Sequence, residues 1–165
     1  MVGKRGAMSQ ALSKARREYN NGYYSDKLRQ GLEYQDFVAK ELWKRGISIG
    51  CYSSQKYQVE EGESMAGIEI KRDGHFRKTG NLYIEVAEKA HPDNPIYVPS
   101  GIERGDNQWL LVIGDEKTIY IFPTNYLRKM KKRFKQVTTM TSIGLLMPID
   151  DAERYCIMKI EVNDG

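Results

Sequence analysis

Two glutamates and two lysines set at strand spacing are the residues of this chain best suited to chemistry. In Gly67-Ile68-Glu69-Ile70-Lys71, Glu69 and Lys71 alternate with isoleucines. From Leu82 to Lys89, the residues Glu85, Ala87 and Lys89 alternate with the aliphatic Leu82, Ile84 and Val86. A period of two places the charged residues of each strand on one face and the aliphatic residues on the other. If the two strands pair as a hairpin, Glu69, Glu85 and at least one lysine converge. Carboxylates held close together repel, and a bound divalent cation relieves the repulsion. Mg²⁺, or Mn²⁺ in its place, takes oxygen ligands and leaves water positions open for a phosphate and an attacking hydroxide. The same pattern also describes a charged hairpin facing solvent.

Those strands need a body to hold them. With 165 residues, 40% of them hydrophobic and 29% charged, the chain is long enough for one domain with a real core. A net charge of +4 permits nucleic acid as a partner without requiring it. No apolar run approaches the ~20 residues of a membrane span, and the basic N-terminus lacks the apolar centre of a signal peptide, so a cytoplasmic protein is expected. Cys51, Cys156, His75 and His91 are isolated from one another in sequence, which argues against a zinc site and for buried free thiols.

Residues 1–24 read as a basic arm and a helix that carries Lys14, Arg16 and Arg17, and residues 25–165 as a single domain. A helix starting near Ser25 or Gly31 and ending at Gly46 places Tyr34, Phe37, Val38, Leu42 and Trp43 on a buried face. Glu33, Asp36, Lys40 and Glu41 lie opposite, and Gln35 sits at the boundary. Residues 47–59 read as a strand with a polar middle. Trp109 to Ile113 and Ile119 to Phe122 are apolar runs around Gly114-Asp115, expected as buried strands at the centre of the sheet. Thr124 is the candidate cap of a helix whose stripe is Leu127, Met130 and Phe134. Its other faces carry Arg128, Lys129, Lys131, Lys132, Arg133 and Lys135, the densest basic patch in the chain and a candidate phosphate-binding surface together with Arg16 and Arg17. Thr138 to Met147 and Tyr155 to Val162 read as two further strands around a loop at Pro148-Ile149-Asp150-Asp151. The expected architecture is α/β (α+β), a central mixed sheet of about five strands flanked by helices.

This order of elements resembles the PD-(D/E)XK nuclease superfamily over roughly residues 31 to 134, and the resemblance implies a restriction-endonuclease-like fold. It puts Glu69 at the first acidic position and Glu85 at the acid of the D/E-x-K element, with Gln35 or Glu33 joining the metal site from the first helix. Ala87 stands where that family carries lysine, so Lys89 or Lys71 would substitute. Glu69-Ile70-Lys71 is itself a Glu-x-Lys triplet, and the assignment with Glu85 as the swapped acid stays open. The resemblance implies Mg²⁺ held by Glu69, Glu85 and the carbonyl of Val86. It also implies hydrolysis of duplex or branched DNA to 3′-hydroxyl and 5′-phosphate ends, and a homodimer or higher homo-oligomer. The alternatives are a DNA-binding protein on the same scaffold that does not cleave, and a small structural protein.

Overall fold

The computed structural model describes residue 22 and residues 25–49 and 67–163. The expected N-terminal arm and helix with Lys14, Arg16 and Arg17, the strand beyond residue 49 and Cys51 lie outside the described residues. The chain divides into two compact units, Met1–Glu33 and Tyr34–Gly165. In the first, residues 25–33 are helical, and Arg29 bridges Glu33 at 3.0 Å and Asp26 at 3.7 Å.

The second unit is mixed α and β. Its elements are α1 (residues 34–43), β1 (Ile68–Arg72), α2 (Phe76–Thr79), β2 (Asn81–Glu88), β3 (Val98–Pro99) and a 3₁₀ turn at Gly101–Glu103. These are followed by β4 (Leu110–Gly114), β5 (Thr118–Pro123), α3 (Thr124–Met130), a 3₁₀ turn at Lys131–Arg133, β6 (Lys135–Thr138), β7 (Ser142–Pro148), α4 (Ile149–Tyr155) and β8 (Met158–Glu161). Among the described residues the strands form two four-stranded sheets, β1-β4-β5-β8 and β3-β2-β7-β6, rather than one sheet of about five.

The β4–β5 hairpin occupies the centre of the first sheet, as its two apolar runs predict. Asp115 sets the turn, because its Oδ1 accepts the backbone N–H groups of Lys117 and Thr118, each at 2.9 Å. One face of this sheet buries Ile68, Ile70, Leu110, Val112, Ile119 and Ile121 with Tyr34, Val38 and Leu42 of α1. The i, i+4, i+8 stripe of α1 therefore does what its spacing implies, although Trp43 is exposed. Gly46 ends the turn after α1 at φ 77°, with its N–H on Trp43 O at 2.9 Å and the Ile47 N–H on Leu42 O at 3.0 Å, a Schellman closure. The other face contributes Leu111, Ile113, Tyr120 and Phe122 to a core shared with Leu82, Ile84, Leu145 and Met147 of the second sheet and with Leu127 and Met130 of α3.

The expected hairpin of β1 with β2 does not form. β1 runs parallel to β4, while β2 is antiparallel to β3 and β7. The cause lies between the strands, where Asp73 folds the connection into a capped turn instead of a reversal. Its Oδ1 accepts the N–H of His75 at 2.9 Å and of Phe76 at 3.1 Å, which starts α2, and its Oδ2 accepts the N–H of Tyr83 at 2.8 Å. That single carboxylate carries the chain from the first sheet to the second.

Five further expectations change. The basic helix stops at Met130, so Phe134, although buried, is extended and Lys135 opens β6. Thr124 is not its cap: its hydroxyl is buried without a hydrogen-bond partner. Residues 138–147 are not one strand. Thr139 Oγ1 accepts the N–H of Ser142 at 3.0 Å and turns the chain between β6 and β7. The segment after Pro148 is α4, with Asp150 and Asp151 favourably placed in its first turn, and the last strand begins at Met158 instead of Tyr155.

Candidate active site

Glu69 sits on β1 in register with Leu111, and Lys71 in register with Ile113, so both lie on the face that the two sheets share. The Glu69 residue is 1% exposed. Its Oε1 lies 3.1 Å from Lys71 Nζ, whose side chain is 45% exposed. The pair thus joins a carboxylate inside the fold to an ammonium that reaches the surface. Such a pair is weak as a stabiliser, because desolvating the carboxylate offsets much of the attraction.

Glu85 goes elsewhere. It alternates with Ile84, which is buried in the shared core, so it lies on the opposite face of β2 together with Tyr83. Its Oε1 accepts the hydroxyl of Ser100, a residue 1% exposed, at 2.7 Å. On that face the Tyr83 ring lies over Gly144, where a Cβ would come within 2.3 Å of the ring, and its hydroxyl meets Ser142 Oγ at 2.7 Å. Burial raises the Tyr83 pKa, and the hydrogen bond from Ser142 only partly offsets it. The carbonyl of Val86 accepts the Ser100 N–H at 3.1 Å. Glu69, Glu85 and Val86 are therefore not brought to one point.

Lys89 donates to Pro92 O at 2.7 Å and lies 4.8 Å from the centroid of the Tyr97 ring. Of the two candidate lysines, Lys71 is the one beside Glu69. Gln35 is half-buried on α1 and makes no side-chain hydrogen bond among the described residues, while Glu33 pairs with Arg29.

The basic patch divides into cations the fold uses and cations it leaves at the surface. Arg128 is a structural tie: its guanidinium donates to Ile102 O, to Asn125 Oδ1 at 3.0 Å and to Arg104 O at 3.3 Å. Lys131 bridges Glu103 at 3.0 Å, and Arg133 lies 5.4 Å from the Tyr155 ring centroid. Lys129, Lys132 and Lys135 are exposed and form no ion pair among the described residues.

Sequence reasoning missed Asp73, although an Asp-Gly pair such as Asp73-Gly74 is a recognisable turn signal. It also missed the ion-pair network at the far end of the first sheet. There Arg77 binds Asp115 at 2.5 and 3.0 Å and Thr118 Oγ1 at 2.8 Å, and Thr118 donates to Glu161 at 3.0 Å. Those partners are 38 or more residues apart and carry no local pattern. Among the described residues, no group of three or more histidine, cysteine, aspartate and glutamate side chains comes together, and no helix is long and apolar enough to cross a membrane. Comparison with family models, curated proteins and solved structures finds no significant match.

Proposed function

We propose that the protein is a divalent-cation-dependent nuclease acting on DNA, with Glu69 and Lys71 at its centre. The observation that carries this reading is the 3.1 Å pair itself, a carboxylate 1% exposed behind a lysine that reaches solvent. Buried carboxylates with a specific charge partner concentrate at functional sites, because they are poor stabilisers and good ligands and bases. The pair fits the Glu-x-Lys triplet of the PD-(D/E)XK resemblance, without Glu85 beside it as the swapped acid.

The residues fit a hard cation only in part. Glu69 supplies oxygen donors, whereas Glu85 faces away with its carboxylate on Ser100, so the two do not share an ion in this geometry. In this reading Glu69 would hold Mg²⁺ or Mn²⁺, and the ion would supply a lowered pKa for bound water and polarisation of a phosphate. Lys71, beside Glu69, would neutralise charge developing on the phosphate oxygens.

The test is incubation of supercoiled plasmid and branched DNA with the protein and Mg²⁺ or Mn²⁺. Wild type nicks or linearises the substrate. Glu69→Gln does not, while its DNA affinity stays within a few fold. Cleavage at the wild-type rate by Glu69→Gln would remove Glu69 from the mechanism.

A second reading, DNA binding without cleavage, is favoured by the surface of α3, the 3₁₀ turn after it and β6, where Lys129, Lys132 and Lys135 are exposed. Phosphate contacts release condensed counterions, so the logarithm of affinity falls with the logarithm of salt by about 0.9 per contact. Replacing these three lysines with alanine should flatten that slope by about two to three units. Binding that responds this way, with no cleavage under any cation, selects the second reading.

A further inference from the structure

We infer that the second sheet carries a binding groove for one unpaired nucleotide of a nucleic-acid strand. The groove is open, about 670 Å³ in volume, within the range of small-ligand sites. Its floor is apolar and is built from Val86, Ala87, Ile143 and Leu145. A slip in the β2–β7 register between Glu85 and Ala87 creates it: Ala87 pairs with Ile143, so the strand re-aims there and Ala87 turns into the groove instead of continuing on the face of Glu85. The small side chain that stands where a lysine was expected leaves the floor uncharged there.

Tyr97 forms a wall that is fixed in advance. Its hydroxyl donates to Thr139 O at 2.9 Å, and Lys89 rests 4.8 Å from its ring centroid. Sites for unpaired bases combine an aromatic surface, on which any base can stack, with cations that follow the phosphates. The cations are at the rim, where Lys132 is exposed and Lys131 pairs with Glu103 at 3.0 Å, leaving the rim one positive charge in excess. Gln136 adds an amide that can meet a base edge. An apolar floor beside an aromatic wall accepts the face of a base. In a duplex that face is covered by stacking, so the groove selects a nucleotide that is not paired.

The inference rests on the reading that the protein acts on DNA, and it sharpens that reading to flaps, forks and single-stranded ends. The test is fluorescence anisotropy in EDTA, which separates binding from cleavage, with a labelled blunt duplex and the same duplex carrying a single-stranded extension. Wild type should bind the extended DNA roughly tenfold or more tighter, the scale of one stacked base. Tyr97→Ala and, independently, Ala87→Leu, which fills the floor, should each abolish that advantage and leave the blunt-duplex affinity unchanged, with circular dichroism showing both folded. Equal affinity for the two DNAs, or an advantage that survives both variants, overturns the inference. So does micromolar binding of free deoxynucleoside monophosphates without any preference between the DNAs. Cleavage assays with Mg²⁺ keep the two questions apart. A protein that prefers extended DNA and never cuts refutes the nuclease reading alone, and one that cuts without preference refutes the groove alone.

Discussion

Glu69 and Asp73 are both buried carboxylates, four residues apart along the same strand and its exit, and they are held in different ways. Asp73 is surrounded by backbone: three N–H groups point at its two oxygens, and all three belong to the turn and strand that follow it. Glu69 is instead paired with a side chain of its own strand that reaches solvent. Backbone donors cannot leave without unfolding the segment, whereas a side-chain partner can move while the backbone stays in place. Burial of a charge therefore says little by itself, and the nature of its partner separates a structural group from a candidate for chemistry. Glu41 makes the same point on α1. It is 5% exposed, and its partners Lys44 and Arg45, one helical turn on, hold its carboxyl below the usual range chiefly through the Lys44 hydrogen bond.

The comparison breaks most visibly at Asp73. Asp73→Ala leaves three backbone donors without their acceptor at the junction of the two sheets, and each such donor costs on the order of 1–3 kcal/mol when it stays buried. A loss of about 3 kcal/mol or more in urea unfolding is expected. Asp73→Asn keeps one oxygen but turns an amide donor toward another N–H, so an intermediate loss is expected. A midpoint shift in Asp73→Ala no larger than that of a surface substitution would mean that the turn holds without the carboxylate.

The Glu69 pair should respond with opposite signs to its two simplest changes. Lys71→Met removes a half-exposed ammonium from beside a buried carboxylate and should cost about 1–3 kcal/mol. Glu69→Leu removes the desolvated charge itself from beside a lysine whose side chain is 45% exposed. Apolar replacement of a buried pair is often neutral or stabilising, so a change between about 0 and +2 kcal/mol of added stability is expected. Equal destabilisation by both variants in chemical denaturation would place Glu69 with Asp73 as a group the fold requires.

These assignments also mark where the sequence was legible. The β4–β5 hairpin announced itself because two continuous apolar runs flank Gly114-Asp115, and α1 because Tyr34, Val38 and Leu42 repeat every four residues before a capping glycine. Period two likewise put Glu69 and Lys71 on one face. Alternation, however, assigns faces and not partners. Nothing local tells β1 that it pairs with Leu110–Gly114, some forty residues on, so the convergence of Glu69 with Glu85 was an inference about pairing that the sheet order does not share. β6 was missed because Val137 is the only apolar residue in Lys135–Thr138, as befits an edge strand. α4 was missed because seven residues carry too few turns for a stripe to register.

Asp115 provides the finest test, because it combines both kinds of partner. Burial would raise its pKa, but the bidentate Arg77 guanidinium and the N–H groups of Lys117 and Thr118 outweigh burial and hold the carboxyl below its ordinary value. A carboxyl whose folded pKa is depressed contributes stability that is fully present above its unfolded value, near 4, and is lost as pH falls through the folded value. Asp115→Asn can still accept the two backbone N–H bonds through its amide oxygen, but it cannot titrate. The variant should lose a modest amount of stability at pH 7, where Arg77 no longer meets a charge. The gap to wild type should then narrow progressively below about pH 4 as the wild-type carboxyl protonates. Arg77→Met should show the same narrowing if the guanidinium is what depresses the pKa. A gap that stays constant from pH 7 to pH 3 in urea unfolding would mean that the charge of Asp115 is not what separates the variant from wild type.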